Sequence, residues 1–358
     1  MNTQYPDDFL TRLQAARSEE ERGWLVTQAL LDSLPPALRQ AAWAAAVPHW
    51  FDADILAALL QRPAGECAAL YAELQNLPFV EPFEARRGHN VHEVTRAALL
   101  DHLWRERRDE YRTLSARAAD YFARRDEPEW QIERTYHLLV SEPERGADAL
   151  WRLGAEWNNT FQHHLVFALA QAGVEQADAG RTQGRARGWA CYWQGEMERR
   201  YYRNEEAKKA LGLALESVDG DRQLEANCIQ ALGDVHKQLA EYGEARARYE
   251  EARTCYAQIG DRLGEANCDL GLGDVARQEK RWKQAENLYR AALGVYRNLG
   301  VRLNIGLALR RLGQVAEDQG NKAEAIRFYQ EALQIFQAIG VRDAGYTRAD
   351  LERVRGVE

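Results

Sequence analysis

The second half of this 358-residue chain repeats itself with a period of 40 residues. Residues 221–260, 261–300 and 301–340 align without gaps, and each segment ends on Gly. A Leu-Gly pair recurs in all three, followed at fixed offsets by Ala, Tyr and a second Ala. These positions are Leu232-Gly233, Leu272-Gly273 and Leu312-Gly313, then Ala245, Ala285 and Ala325, then Tyr249, Tyr289 and Tyr329, then Ala252, Ala292 and Ala332. A period of this kind is typical of a solenoid, whose units bury their apolar faces only against their neighbours.

Each unit predicts two amphipathic helices. In the third unit, apolar residues recur at three- and four-residue spacing on both sides of Gly320-Asn321. They are Ile305, Ala308, Leu309 and Leu312 before the break, and Ala325, Phe328, Ala332 and Ile335 after it. Gly and Ala favour a close crossing of the two helices, and we expect the Tyr to fill the space that these small residues leave.

The pattern Leu-Gly then Ala-x-x-x-Tyr-x-x-Ala resembles the tetratricopeptide repeat (TPR). The junction at residues 259–266 is similar to the longer-helix version found in protein-binding adaptors. A fourth, weaker copy precedes the three, with Gly195, Ala207, Leu211 and Ala214 at the same offsets, although Gln194 replaces Leu. The resemblance implies a mainly α protein ending in a TPR α-solenoid, a superhelix, over residues 181–345, with a helical tail at 346–358.

The sequence of the first half predicts domains that are not TPR repeats. Residues 7–31 predict one amphipathic helix within an N-terminal segment, 1–34. Within 35–125 the sequence predicts helices at 37–46, 53–60 and 66–77, a β-hairpin at 79–84 and 89–91, and a helix from Glu93 onward. Three helices followed by a hairpin describe a winged-helix arrangement. Residues 126–180 predict irregular helical pairs whose aromatic residues, including Trp151 and Phe161, form a core, and 179–188 predict a flexible joint.

The amino-acid sequences of four segments resemble the winged-helix region of STAND signalling ATPases of the NB-ARC and NACHT type. The segments are 34–39, 51–56, 74–81 and 91–96. In that family the His that matches His92 helps to hold a nucleotide, and a TPR sensor often follows. This sequence has no GxxxxGK[ST] loop and no Gly-Lys pair. We therefore expect no ATPase core and no cofactor, and interpret His92 as a motif relic that caps local backbone.

Composition narrows the function classes. The net charge of −8 argues against a general nucleic-acid binder. The N-terminus lacks a signal-peptide pattern and no apolar run is long enough to cross a bilayer, so we expect a cytoplasmic protein without membrane contact. The five Cys form no CxxC pair, and no Ser lies in a GxSxG turn. The sequence therefore predicts no metal site, no catalytic residues and no enzyme activity.

If the solenoid binds a partner, the first helix of each unit is expected to line its concave face. The candidate residues there are Asn227, Gln230, Asp234, Lys237, Asn267, Asp274, Arg277, Leu307, Arg310, Gln314 and Glu317. Asn both donates and accepts hydrogen bonds, which suits an extended peptide backbone. The alternative at each position is an ordinary solvated polar residue.

The leading hypothesis is a non-enzymatic adaptor or regulatory subunit that captures a protein or peptide. By analogy with the STAND architecture, it predicts bacterial signalling or defence with a separately encoded effector, such as a protease or nuclease. The alternative is a winged-helix transcription regulator with a peptide-sensing TPR domain. A third helix (66–77) without Lys or Arg argues against DNA, whereas Arg86 and Arg87 in the wing keep that alternative open. Self-association stays open as well.

Overall fold

The computed structural model describes residues 7–356. Within them, nineteen α-helices are joined by short connections, and one antiparallel pair of strands forms a small sheet. The chain divides into two compact units, one ending at Ala190 and one beginning at Cys191, inside a helix. None of the described helices is both long and apolar enough to cross a membrane.

The first unit contains the sheet. Its elements are α1 (Asp7–Ala15), α2 (Glu19–Ser33), α3 (Pro36–Ala45), α4 (Ala53–Leu60), α5 (Ala64–Leu74), β1 (Val80–Phe83), β2 (Gly88–Val91), α6 (Glu93–Glu106), α7 (Arg108–Phe122), α8 (Pro128–Ser141), α9 (Pro143–Asn159) and α10 (His163–Asp178). Helix α11 (Gly184–Arg200) crosses the boundary between the units.

The prediction of one helix over residues 7–31 was wrong, because the chain forms two helices there. Ser18 has extended backbone between them, and its hydroxyl accepts a 3.0 Å hydrogen bond from the Glu21 N–H. A Ser in this position satisfies a free N–H group in the first turn of a helix, so it starts α2 and separates it from α1.

Three helices and a hairpin follow in the predicted order. Strands β1 and β2 pair from Val80 opposite Val91 to Phe83 opposite Gly88. A bridge adds Phe51, which exchanges backbone hydrogen bonds of 2.7 and 2.9 Å with His89. Only Gly fits at position 88, since an added Cβ would lie 2.7 Å from the Phe51 carbonyl oxygen. The resemblance of this region to the winged helix of STAND ATPases stays a prediction.

The aromatic core of the first unit is smaller than predicted. Tyr111, Phe122 and Tyr136 are fully buried. In contrast, Trp151 is 44% exposed and Phe161 is 50% exposed, so neither is a core residue. Phe161 lies in the turn after α9 with left-handed backbone (φ 60°), which turns its side chain away from the helical stripe.

The segment predicted as a flexible joint, 179–188, is a tight turn followed by the start of α11. Gly180 takes left-handed backbone at the turn, where Gly carries no steric penalty. Arg181 and Thr182 are buried, and Arg181 Nη1 lies 3.4 Å from Gln176 Oε1. The side chains therefore hold this turn against α10.

The second unit is a stack of helix pairs, and it begins at Cys191, ten residues after the predicted start of the solenoid at residue 181. Its elements after α11 are α12 (Asn204–Leu215), α13 (Arg222–Gln238), α14 (Tyr242–Ile259), α15 (Arg262–Gln278), α16 (Trp282–Leu299), α17 (Arg302–Asp318), α18 (Lys322–Ile339) and α19 (Asp343–Arg355). The last helix of each 40-residue unit ends on a left-handed Gly (Gly260, Gly300 and Gly340).

The predicted close crossing within each unit is confirmed. An added Cβ at Gly233, Gly273 or Gly313 would lie 3.0, 2.5 or 2.6 Å from the ring of the unit's Tyr. In the fourth copy, α11 with α12, a Cβ at Gly195 would lie 2.7 Å from Leu211 Cγ. Leu thus fills in that copy the space that Tyr fills in the other three.

Candidate protein-binding surface

The eleven candidate residues lie on the first helices of the three regular repeats, α13, α15 and α17. All eleven are half-buried. Such side chains are neither core nor freely solvated, so their hydrogen bonds decide what remains available to a partner.

A row of alternating charges connects the repeats, and we call it the charge ladder. Its members are Asp234, Lys237, Asp274 and Arg311. Lys237 Nζ lies 3.2 Å from Asp234 Oδ1 and 3.1 Å from Asp274 Oδ2 in the next repeat. Asp274 Oδ1 also lies 2.8 Å from Arg311 Nε, one repeat further on. Lys237, Asp274 and Arg311 follow one another at intervals of 37 residues. This interval is three residues shorter than the 40-residue period, which is about one helical turn, so consecutive members lie side by side on neighbouring helices.

The charge ladder sets the ionisation of its carboxylates. Burial by itself would raise the pKa of Asp274, but Arg311 and Lys237 outweigh burial and lower it. The pKa of Asp234 is lowered in the same way, with Lys237 and Arg199 opposing the effect of burial. Both carboxylates are therefore held as anions between cations.

Further candidates are paired at the C-terminal end of the charge ladder. Arg277 donates to Asp318 over 2.6 Å and to Gln314 over 3.2 Å. Arg310 donates to Asp350 on α19 over 2.7 Å. These guanidinium groups hold neighbouring helices together, so they are not free cations awaiting a partner.

Tyr hydroxyls complete the carboxylate contacts. Tyr249 donates to Asp234 over 2.6 Å and Tyr289 donates to Asp274 over 2.8 Å. In the third repeat Gln314 occupies the position of those aspartates, and Tyr329 donates instead to Glu317 over 2.8 Å. The recurrent Tyr therefore fills the helix crossing and also fixes an acidic candidate residue.

The two Asn candidates have a second recurrent Tyr as partner. Asn227 Oδ1 accepts a 2.8 Å hydrogen bond from Tyr256, and Asn267 Oδ1 accepts one of 2.9 Å from Tyr296. Both amide oxygens accept a further amide N–H, at 3.1 and 3.0 Å. The Nδ2 groups of Asn227 and Asn267 donate to no residue in the described part of the chain. Each Asn thus has its acceptor occupied and its donor free.

The remaining candidates have smaller roles. Gln230 Oε1 lies 2.9 Å from the Tyr256 hydroxyl and shares its single hydrogen with Asn227 Oδ1. Leu307 takes the position of Asn227 and Asn267 in the third repeat, where Phe336 takes the position of their Tyr partners. The third repeat therefore presents an apolar side chain where the first two present an amide donor.

Sequence reasoning missed Tyr256, Tyr296 and Arg311 as parts of this surface. A signal for the first two was present, since Asn changes to Leu in the same repeat in which Tyr changes to Phe. Arg311 had no such signal, because the equivalent positions in the other repeats are Ala231 and Gly271.

His92 does not cap α6 with its ring. It is the N-cap residue, but only its backbone takes part: its N–H donates to the Phe79 carbonyl and its carbonyl accepts from the Arg96 N–H, both over 2.8 Å. The side chain is exposed and makes no capping hydrogen bond.

A partly buried polar cluster in the first unit was also missed. His49 lies 2.8 Å from Glu133 through Nδ1 and 3.0 Å from Glu175 through Nε2. Arg96 donates to Glu175 and to the Tyr136 hydroxyl, each over 2.8 Å. The members come from distant parts of the sequence, and no local spacing predicts their meeting.

Charge pairing governs this cluster. Burial would lower the pKa of His49, but the Glu133 carboxylate raises it overall, although the nearby Arg96 opposes that rise. Burial would raise the pKa of Glu133, and His49 together with His137 holds it well below its usual range. The cluster is thus a set of ion pairs within the first unit. No group of three or more His, Cys, Asp or Glu side chains among the described residues could hold a metal ion.

A family model for the tetratricopeptide repeat matches residues 264–338. Residues 264–338 are tetratricopeptide repeats. The TPR fold extends to α13 and α14, which share the helix lengths and the Gly–Tyr crossing of the matched repeats, and the second unit is a TPR α-solenoid. A fold of this type supports a protein-interaction adaptor.

Solved structures with a similar fold include a STAND protein with a TPR sensor from Pyrococcus horikoshii, at 14% identity and a TM-score of 0.57. The match covers 97% of this chain and 52% of that protein, so the chain spans about half of its length. A Rap protein in complex with competence and sporulation factor matches at 15% identity and a TM-score of 0.50, covering 73% of this chain and 71% of that one. At these identities the likeness concerns the fold alone. No curated protein sequence matches the chain.

Proposed function

We propose that this protein is a non-enzymatic adaptor whose TPR solenoid captures an extended peptide segment of a partner protein. The surface that carries the proposal is the inner face of the first helices, α13 and α15. Its charged residues neutralise one another, so the groups left for a partner are amide donors and half-buried apolar side chains.

The observation that supports this proposal most directly is the geometry of Asn227 and Asn267. Their oxygens are held by Tyr256 and Tyr296, which fixes the orientation of each amide and leaves Nδ2 free. A free, oriented N–H donor suits a backbone carbonyl of an extended peptide. Because the two Asn are one repeat apart, they offer the same contact twice along one chain.

The cellular role is a further step of the proposal. We place the protein in bacterial signalling or defence, beside a separately encoded effector such as a protease or nuclease. Support comes from the resemblance of residues 35–125 to STAND ATPases and from the fold shared with a STAND protein that carries a TPR sensor.

DNA recognition by the first unit has less support. Helix α5 contains Glu66 and Glu73 but no Lys or Arg. In the wing, Arg86 lies 3.4 Å from Glu129 and 5.2 Å from the centre of the Trp50 ring, so its charge is engaged within the protein. A recognition helix without cations lacks the contacts that phosphates and guanine require.

The test replaces Asn227 and Asn267 by Asp. Each Asp keeps an oxygen for the Tyr hydroxyl, as Asp234 does for Tyr249, but removes the N–H donor. Wild type and N227D/N267D are used for affinity capture from native lysate after nuclease treatment, and retained proteins are identified by mass spectrometry. We expect wild type to retain a stoichiometric protein that the variant loses.

A matched control adds the same charge elsewhere. Asn287 and Asn298 are exposed residues of α16, and N287D/N298D should retain the partner. Retention of the same protein by N227D/N267D would contradict the assigned face. Retention of nucleic acid by protein not treated with nuclease, with no protein partner, would favour the DNA-binding alternative.

A further inference from the structure

A second candidate surface lies in the first unit, between α8 and α9. It is a groove of about 510 Å³ next to the end of α7. Four of its lining residues are arginines, and two are aspartates. They are Arg125, Arg134, Arg145 and Arg152, with Asp126 and Asp148.

Three of the four arginines lack a close carboxylate within the described residues. Arg125 and Arg134 form no ion pair there, although the Arg125 guanidinium lies over the Trp130 ring, 4.5 Å from its centre. Arg134 Nε is buried without a hydrogen-bond partner. The ion pair of Arg152 is long, at 4.0 Å from Glu156, with both side chains more than half exposed. Only Arg145 has a close partner, Glu142 at 2.7 Å.

The carboxylates of the groove do not cancel this charge. Asp148 lies 2.7 Å from Arg185, which leaves Asp126 as the groove's acidic residue without a partner. Trp151 adds an aromatic surface to the lining and is 44% exposed. Trp and Arg are both enriched at the centres of protein interfaces, and here an exposed Trp lies beside arginines of which three lack a close carboxylate.

We propose that this groove binds an acidic segment of a partner protein that also carries an apolar side chain. The arginines would pair with individual carboxylates of the segment, and Trp151 would cover its apolar residue. The net charge of −8 opposes the approach of a long polyanion such as nucleic acid, whereas a short acidic segment needs only the local positive field. The groove lies in the first unit and the TPR face in the second, and the proposal does not depend on the function of the TPR face.

The test uses three probes on the full chain. They are a fluorescein-labelled peptide of alternating Glu and Leu, the same peptide with Lys in place of Glu, and a labelled single-stranded oligonucleotide. Binding is followed by fluorescence anisotropy at two salt concentrations. We expect the acidic peptide to bind, more weakly at high salt, and the basic peptide not to bind.

The variant R125E/R152E reverses two exposed charges and should weaken binding of the acidic peptide by about tenfold or more. The control R105E/R112E changes the net charge equally, at exposed positions outside the groove, and should bind like wild type. Circular dichroism confirms that both variants fold.

Three results would overturn the proposal. They are absence of binding by the acidic peptide, equal loss of binding in the control variant, and tighter binding of the oligonucleotide that R125E/R152E removes. The last result would assign the groove to nucleic acid. Unchanged binding of the acidic peptide by N227D/N267D would separate this surface from the TPR face.

Discussion

Lys237 Nζ lies 3.1 Å from Asp274 Oδ2 on the first helix of the next repeat. The same carboxylate accepts from Tyr289 of its own repeat and from Arg311 of the repeat after that. One half-buried anion therefore connects three successive repeats. Nearest-neighbour contacts of this kind determine how cooperatively a solenoid unfolds.

Replacing Asp274 by Asn should destabilise the repeats, because Lys237 and Arg311 lose the anion that compensates them. We expect a loss of about 2 kcal/mol at neutral pH, less than for a fully buried pair because the Asp274 side chain is 15% exposed. Urea unfolding followed by circular dichroism measures it. The control is Asp219→Asn, an exposed turn residue with left-handed backbone that Asn tolerates, and a loss of similar size in that control would contradict the assignment.

The same variant makes a prediction about pH. Folding lowers the pKa of Asp274, so the Asp274 carboxylate stabilises the folded protein fully at pH values above its unfolded-state pKa of about 3.9. This stabilisation is lost as pH falls through the lower pKa of the folded state. The difference in stability between wild type and D274N should therefore be constant from about pH 5 to 8 and shrink in stronger acid. A difference that grows with acidification would show that the carboxylate is not stabilised by folding.

Two glycines of neighbouring helices should respond oppositely to Ala. Ala at Gly273 would place Cβ 2.5 Å from the Tyr289 ring, so the helix pair must separate or Tyr289 must move. At Gly294, on α16, an added Cβ meets nothing within 4 Å. We expect G273A to lower the unfolding midpoint, with a cost of about 1–3 kcal/mol, and G294A to raise stability by about 0.5–1 kcal/mol through helix propensity. Thermal and urea unfolding decide the signs, and stabilisation by G273A would refute the close crossing.

The Asn267–Tyr296 pair can be tested by a double-mutant cycle. Asn267→Leu alone leaves the Tyr296 hydroxyl without its acceptor, which should cost about 1–3 kcal/mol. Adding Tyr296→Phe reproduces the Leu307 and Phe336 combination of the third repeat and should recover the part of the loss that comes from the hydroxyl. The part that comes from the Asn304 amide, which also donates to Asn267 Oδ1, should remain. Strictly additive effects would show that the two residues do not act as a pair. The double variant lacks the amide donor, so it should also weaken partner binding while remaining stable.

The repeat unit was predictable from the sequence because its packing is local and periodic. Gly273 and Tyr289 lie sixteen residues apart, and their spacing recurs in each unit, so one sequence contains several independent copies of the signal. The recurrence of Asn227 and Asn267 was visible for the same reason, and their place on the concave face stays a prediction. Their free donors could not be predicted, because the residues that occupy their oxygens, Tyr256 and Tyr296, lie 29 residues away on the paired helix.

The first unit was less predictable because its contacts are long-range and occur once. The partners of His49 are Glu133 and Glu175, which lie 84 and 126 residues further along the chain. Because these pairs occur only once, no repeated pattern in the sequence indicates them. For Trp151 the sequence predicted a contact that the structure lacks. An aromatic residue at helical spacing predicts a core position, but the Trp151 side chain is exposed at the arginine groove. Apolar periodicity identifies a helix face but does not determine whether another element covers it.

His49 gives the first unit a pH dependence of opposite sign to that of Asp274. Because folding raises the pKa of His49, its contribution is fully present below the unfolded value of about 6.5 and is lost as pH rises through the folded value. Glu133, whose pKa is well below its usual range, stays ionised throughout that window. We expect His49→Gln to remove part of the fall in stability that urea unfolding measures as pH rises above about 6.5. Exposed His164 provides the control, and His164→Gln should keep the wild-type profile. Parallel profiles for wild type and H49Q would show that the imidazole does not gain its charge from the pairing with Glu133 and Glu175.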